Sequence, residues 1–251
     1  MKITQIRNAT VIIEYKDTKF LIDPVLSDKG VLPPFANSPR QERNPLGELP
    51  FDIDRILDVD AVIVTHLHPD HFDEAAKKLV PKDIKVFVQN DADYSVLEEY
   101  GFKNLEVLGE DTSFNNISLI KTKGQHGRGK ILERMGKVCG VVFKHPNEKT
   151  LYVAGDTVWY EGVEEALDTH HPDIVIANAG DNGYPEEGAL VMGKDDIFEL
   201  YKAAPYAKII ASHMEAFNHW RLSRAELREF TIEKNFEANV LIPDDGDSYC
   251  F

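Results

Sequence analysis

The segment from residue 65 to residue 71 concentrates side chains that bind metal ions. It reads Thr-His-Leu-His-Pro-Asp-His, so three histidines and one aspartate fall within six residues. Imidazole nitrogens and carboxylate oxygens are ligands for zinc and other first-row divalent ions. Side chains alternate along an extended backbone, and the proline disfavours helical dihedral angles before it, so His66 and His68 are expected to point the same way. Asp70 and His71 lie where the chain turns, and they can face a second ion.

Three further candidate ligands lie at the ends of other predicted strands or turns. Asp156 belongs to an Ala-Gly-Asp-Thr sequence after the apolar run 151–153, and its carboxylate could bridge two cations. His213 follows the apolar run 209–211 and one serine. His126 lies between Gln125 and a glycine. No cysteine takes part, so the predicted ligands are nitrogen and oxygen atoms.

Buried strands and short helices must position these side chains. Apolar runs predict strands at residues 10–15, 19–23, 61–64, 85–88, 140–145, 150–154, 173–177 and 208–211. The strands at 140–145 and 150–154 are expected to form a hairpin across Pro-Asn-Glu-Lys. Helices are predicted at residues 73–80, 93–100 and 195–203, and from a capping box at Ser223 to about residue 234. We therefore predict a mixed α/β fold, with residues 1–251 as one layered domain.

Residues 26–50 form a proline-rich segment without periodicity. It contains five prolines and predicts a long ordered loop. Loops of this length often act as lids or binding segments, and a tolerated surface insertion is the alternative.

Composition restricts the class of protein and of partner. The chain has 251 residues, 43% of them hydrophobic, which excludes disordered and fibrous classes. Its formal net charge of −15 disfavours binding to nucleic acid, because phosphates would be repelled. No apolar run is long enough to span a membrane. The two cysteines and the absence of a signal-like start predict a cytoplasmic protein.

A basic segment, residues 121–137, surrounds His126 within this acidic chain. It carries six lysines and arginines and one glutamate, so Arg128 and its neighbours could bind a phosphate or carboxylate of a small anionic substrate. A solvated charged loop is the alternative. Trp159 is a candidate wall of the same pocket or a core residue. His219 is a rival for the last metal ligand or a substrate contact.

The order of these motifs resembles the metallo-β-lactamase superfamily. His-x-His-x-Asp-His after a buried strand, an isolated histidine, Gly-Asp-Thr and a strand-end histidine follow one another as they do there. Asp23, in Leu-Ile-Asp-Pro, matches an early motif whose aspartate supports the metal loop. The stretch from Asn8 to Glu14 is most similar to the L-ascorbate-6-phosphate lactonase branch, which usually has Gly-His where this chain has Arg7 and Asn8.

The resemblance implies a four-layer αββα sandwich and a centre for two divalent ions, zinc or manganese. By position, it assigns the ligands of one ion as His66, His68 and His126, those of the other as Asp70, His71 and His213, and the bridging ligand as Asp156. Such ions lower the pKa of bound water and so supply hydroxide at neutral pH. Asp70 or Asp156 would act in catalysis by orienting the nucleophile or carrying its proton.

Three functions remain open from the sequence. The first is a metal-dependent hydrolase for a small anionic substrate, such as a lactone or ester of a phosphorylated sugar acid. The second is a phosphodiesterase or nuclease on the same fold. The third is a non-catalytic metal-binding sensor. Relatives in the lactonase branch are often homo-oligomers, which makes a homo-oligomer a candidate assembly here.

Overall fold

A computed structural model describes residues 1–251, and it contains two seven-stranded sheets that face each other. The strands of the first sheet are β1 (Lys2–Arg7), β2 (Thr10–Tyr15), β3 (Thr18–Ile22), β4 (Ala61–Val64), β5 (Lys85–Val88), β6 (Asn104–Val107) and β16 (Ser248–Cys250). The strands of the second are β7 (Ser113–Phe114), β8 (Ile117–Lys123), β9 (Cys139–Lys144), β10 (Leu151–Val153), β11 (Ile174–Asn178), β14 (Lys208–Ser212) and β15 (Val240–Leu241). A separate two-stranded ribbon joins β12 (Gly183–Tyr184) to β13 (Gly188–Ala189).

Each sheet changes from antiparallel to parallel pairing. The first has the order β16-β1-β2-β3-β4-β5-β6, and its pairs from β3 to β6 are parallel. The second has the order β15-β14-β11-β10-β9-β8-β7, and its pairs from β10 to β15 are parallel. The carboxyl ends of parallel strands meet at one edge of a sheet, so the segments that follow β3, β4, β10, β11 and β14 are brought near one another.

Helices cover the outer face of each sheet. They are α1 (Ile53–Ile56), α2 (Glu74–Leu79), α3 (Asp91–Glu99), α4 (Leu132–Met135), α5 (Glu161–His170), α6 (Lys194–Ala203), α7 (Arg224–Glu233) and a 3-10 turn, Gly129–Ile131. One apolar cluster fills the space between the sheets, and two others join each sheet to its helices. The predicted α/β class and four-layer αββα sandwich are confirmed. None of the helices combines the length and apolar character that a membrane span requires.

Most predicted elements are present, with small shifts at their ends. Helix α3 begins two residues earlier than predicted, because the Asn90 side chain caps it by accepting from the backbone N–H of Asp93 at 2.9 Å. The predicted capping box at Ser223 is formed. Helix α5 was not predicted, and neither was strand β8, which leads into the segment that carries His126.

The proline-rich loop packs against the chain that follows β14. Its one isolated bridge joins Leu32 to Asn44. The Asn218 side chain accepts from the backbone N–H of Phe35 and from the Asn44 amide, both at 2.9 Å. The loop is therefore ordered, as predicted, and its role as a lid stays a prediction.

Candidate metal centre

The ends of strands from both sheets carry the predicted ligands to one place. His66 follows β4, Asp156 follows β10 and His213 follows β14. The turn after β4 adds His68, Asp70 and His71, and the segment after β8 adds His126. All seven side chains lie within or beside one polar cluster between the edges of the two sheets, and six are buried, while His68 is half-buried.

Three imidazoles form the first group of candidate ligands. The Nε2 atom of His66 lies 3.0 Å from Nδ1 of His68. The ring of His126 lies 5.5 Å from that of His66 and 5.2 Å from that of His68, between centroids. One ligand atom of each residue lies within 4.8 Å of the others, so this group could hold an ion.

The second group joins the turn after β4 to the end of β14. Nε2 of His71 lies 3.1 Å from Nε2 of His213, which lies 3.4 Å from Oδ2 of Asp70. These three residues also place one ligand atom each within 4.8 Å of the others. The structure therefore brings together both predicted sets.

Asp156 lies between the two groups. Its carboxylate faces four imidazole Nε2 atoms, with Oδ2 at 3.2 Å from His71, 3.5 Å from His126 and 4.0 Å from His66, and Oδ1 at 3.8 Å from His213. The Asn178 amide, at the end of β11, donates to Oδ1 at 2.6 Å and orients the carboxylate. This placement suits a bridging ligand.

Hydrogen bonds to the outer ring nitrogens aim the Nε2 atoms inward. Nδ1 of His71 lies 2.8 Å from Oδ2 of Asp23, and Nδ1 of His126 lies 3.0 Å from the carbonyl oxygen of Leu190. The Thr65 hydroxyl donates to Asp23 at 2.6 Å, which leaves its oxygen to accept from Nδ1 of His66 at 3.1 Å. Such partners fix the tautomer and leave the Nε2 lone pair for a metal.

The electrostatics of the cluster favour a cation. Burial lowers the pKa of His66 well below its usual value, so its imidazole is neutral. Burial alone would raise the pKa of Asp156, but His71, His213 and His126 outweigh it and hold that pKa well below its usual value. Burial would also lower the pKa of His71, but Asp156 and Asp23 raise it well above its usual value.

The donor set fits divalent metal ions. Two pairs of ring nitrogens face each other at 3.0 and 3.1 Å, and lone pairs at these distances need a proton or a cation between them. Buried polar groups without such a partner are costly. Bound ions would supply Lewis-acid activation of water and of the scissile bond. Around them, Asp156 would hold the two groups together, while Oδ2 of Asp70 would orient the nucleophile and hold its proton.

His219 lies beside the second group, within an aromatic wall. Its Nε2 atom is 3.7 Å from Oδ2 of Asp70. The edge of its ring meets Phe35 at 4.8 Å, and the ring stacks on Tyr184 at 6.2 Å, between centroids. Phe35 comes from the proline-rich loop and Tyr184 from the β12–β13 ribbon. The position of His219 suits the predicted substrate contact. Phe35 and Tyr184 were not singled out from the sequence, because no local pattern relates them to the candidate ligands.

Arg128 and Trp159 do not reach the ligands. The Arg128 guanidinium binds both carboxylate oxygens of Asp196, at 2.8 and 3.0 Å, beside a separate surface cavity of about 450 Å³. Trp159 packs against the apolar cluster between the second sheet and its helices. Neither residue lines the cavity that opens onto His66 and His68.

That cavity has a volume of about 570 Å³, and its exposed lining is more apolar than polar. Its other residues are Leu67, the stretch 89–93 that begins α3, and residues 135–137. Asp91 and Asp93 place two carboxylates there, against the single cation of Lys137. Three other cations of the basic segment are paired elsewhere, since Lys123 pairs with Glu165, Arg134 with Glu187 and Arg128 with Asp196. Lys121 lies beside the cavity, where it donates to the carbonyl of Gln89.

Gly155 gives a test of how the backbone places Asp156. Its φ is +67°, and an added Cβ would overlap the carbonyl oxygen of Cys139 on the neighbouring strand. We expect Gly155→Ala to lower the free energy of unfolding by about 3 kcal/mol, from backbone strain and overpacking together.

Gly101→Ala is the matched control, because φ is +87° there and no atom lies within 4 Å. It should cost only about 1 kcal/mol. Urea unfolding of both variants measures the difference, and equal losses would contradict the steric explanation.

Comparisons with known proteins show the family of the chain. Residues 18–214 match the beta-lactamase superfamily domain family. The chain is 59% identical to the UPF0173 protein YddR of Bacillus subtilis (strain 168), over the full length of both. It is 25% identical to a UPF0173 metal-dependent hydrolase of Pyrococcus furiosus, over 99% of this chain and 98% of that one.

Two solved structures share the whole fold. One is an isothiocyanate hydrolase from Delia radicum gut bacteria, at 44% identity and a TM-score of 0.96, covering 100% of this chain and 99% of the other. The second is a possible metal-dependent hydrolase from Veillonella parvula, at 39% identity and a TM-score of 0.96, covering 99% and 98%. The chain therefore belongs to the beta-lactamase superfamily and, within it, to the UPF0173 metal-dependent hydrolases.

Proposed function

We propose that this hydrolase acts on isothiocyanates, small uncharged molecules of the form R–N=C=S. Water adds to the central carbon, the C–N bond breaks, and the products are the amine R–NH₂ and carbonyl sulfide. The proposal is carried by the cavity beside His66 and His68, whose exposed lining is more apolar than polar. Such a lining favours an uncharged substrate over an anionic one, because burying a charge against apolar surface is costly.

The similarity to an isothiocyanate hydrolase supports this choice among uncharged substrates. It covers the whole chain at 44% identity, so the two proteins share more than a fold. The aromatic wall of Phe35, Tyr184 and His219 adds an apolar surface beside Asp70 that could contact the R group.

The centre would hold two divalent ions, zinc or manganese, with the ligand sets given above. Asp70 and Asp156 would orient the attacking water and receive its proton, because both carboxylates lie among the ligands. The nitrogen of the substrate must gain protons as the C–N bond breaks. Oδ2 of Asp70 is the nearest candidate to return one of them.

A small anionic lactone or ester remains the second candidate. Lys137 favours it, because this lysine lines the cavity and makes no ion pair. The ion pairs of Arg128, Arg134 and Lys123 weigh against it, since these cations already have carboxylate partners. The net charge of −15 weighs against a nuclease.

A substrate panel separates these candidates. We expect the purified, metal-loaded protein to release amine from benzyl and allyl isothiocyanate faster than it opens a phosphorylated sugar lactone or cleaves a phosphodiester. The activity should disappear in His68→Ala and persist in His145→Ala, a matched change in the β9–β10 turn. Faster lactone or phosphodiester hydrolysis, or full isothiocyanate turnover in His68→Ala, would overturn the proposal.

A further inference from the structure

We infer that Asn8 is a positioning residue for the second group of ligands, Asp70, His71 and His213. This inference rests on the proposed ligand assignment and is independent of which substrate is hydrolysed. Asn8 lies in the turn between β1 and β2, is fully buried, and is not itself among the candidate ligands.

Asn8 makes hydrogen bonds to two ligand-bearing segments that come from different sheets. Its side-chain amide donates to the carbonyl oxygen of Asp70 at 2.8 Å. Its own carbonyl oxygen accepts from the backbone N–H of His213 at 3.0 Å. One residue therefore links the turn after β4 to the end of β14, which together supply the second group.

The backbone at His213 needs such support. Its φ is +60°, in the left-handed region, which is strained for a non-glycine residue and persists only when its surroundings enforce it. The carbonyl that holds its N–H is itself well fixed, because it also accepts from Nε2 of Gln5 at 2.7 Å and from Oγ of Ser212 at 3.0 Å. Asn8 has a φ of +56°, which asparagine tolerates better than most residues.

The two groups of ligands depend on Asn8 unequally. His66 and His126 take their outer hydrogen bonds from Thr65 and the carbonyl of Leu190, and neither bond involves Asn8. Losing the Asn8 amide would release the turn at Asp70, and the 3.4 Å separation of Asp70 Oδ2 from His213 Nε2 would no longer be held. His68 of the first group shares the turn of Asp70, so Asn8 should affect the ion held by the second group more strongly than the ion held by the first.

Asn8→Asp and Asn8→Gly test this dependence. Asp keeps the size but replaces the amide donor with a carboxylate, and Gly removes the side chain while relieving the left-handed strain. Zinc is titrated into the full-length, chelator-stripped protein against a competing chromophoric chelator. We expect both variants to weaken one of the two binding steps by about 10-fold or more, as for other groups that orient metal ligands, and to affect the other step much less.

Asn235 provides the matched control. Its φ is +58°, it is exposed, and it follows α7. Asn235→Asp and Asn235→Gly should leave both steps unchanged. Equal weakening of both steps in the Asn8 variants, no weakening, or the same pattern in the Asn235 variants would overturn the inference. A single binding step in the unchanged protein would overturn it together with the two-ion centre. Failure to hydrolyse isothiocyanates would instead count against the proposed substrate alone.

Discussion

Asp156→Asn should reduce turnover by about 1,000-fold or more. The carboxylate faces four imidazole Nε2 atoms at 3.2 to 4.0 Å, so it is the one side chain shared by both groups of ligands. An amide keeps the shape but removes the charge that would hold two cations together. Metal ions contribute several kcal/mol to transition-state stabilisation, and each 1.36 kcal/mol is about tenfold in rate.

Steady-state kinetics and metal analysis measure this effect together. We expect the bound metal per chain to fall in step with kcat, because Asp156 acts through the ions that it holds. Asp173→Asn is the matched control, since that carboxylate accepts from the backbone N–H of Thr150 at 2.8 Å, just before β11. A loss smaller than tenfold, or a full metal content with no turnover, would contradict a bridging role.

The sequence indicated the side chains that the fold brings together because they are local signals. Six of the seven lie directly after an apolar strand or in the turn that follows one, where polar side chains at the carboxyl ends of parallel strands converge. Asn178 could have been found by the same rule, since it directly follows the predicted strand at residues 173–177, and its amide donates to Asp156. The carbonyl of Leu190, which orients His126, carries no side-chain signal.

The sequence gives the number of charges in the basic segment, but it does not give the ion-pair partners of those charges. The partners Glu165, Glu187 and Asp196 lie 42, 53 and 68 residues away along the chain. A count of local charge therefore overstates the cations available to a substrate. Strand β8 escaped prediction for a related reason, because its buried residues alternate irregularly with the lysines of that segment.

The resemblance to the metallo-β-lactamase superfamily indicated a role for Asp23 that its local sequence alone does not show. Its motif suggested support for the metal loop, and the structure supplies the contacts: Oδ1 accepts from the backbone N–H of Thr65 at 2.7 Å, and Oδ2 faces Nδ1 of His71 at 2.8 Å. Strands β3 and β4 are parallel neighbours, so the residue after one strand reaches the residue after the other. This contact depends on sheet order, which spacing alone does not give.

Asp23→Asn should lower metal affinity and turnover by about 10- to 100-fold while the protein still folds. Asparagine tolerates the left-handed backbone that Asp23 adopts, at φ +44°, and its amide oxygen can still accept from Thr65. Its NH₂ group would then face Nδ1 of His71 and donate to it. That reverses the tautomer, so that Nε2 of His71 carries the proton and can no longer bind a metal.

Asp60→Asn is the matched control for this change. Its Oδ2 accepts from the backbone N–H of Lys19 at 2.8 Å, in the same sheet but with no histidine partner. We expect zinc titration to show weakened binding for Asp23→Asn and not for Asp60→Asn. The metal-free Asp60→Asn variant should unfold at the same temperature as the unchanged protein. Nitrogen-15 NMR of the His71 ring should report the reversed tautomer directly. Unchanged zinc affinity in Asp23→Asn would show that His71 does not need the Asp23 carboxylate to bind zinc. Weakened zinc binding with an unchanged His71 tautomer would show that Asp23 acts through its contacts with Thr65 instead.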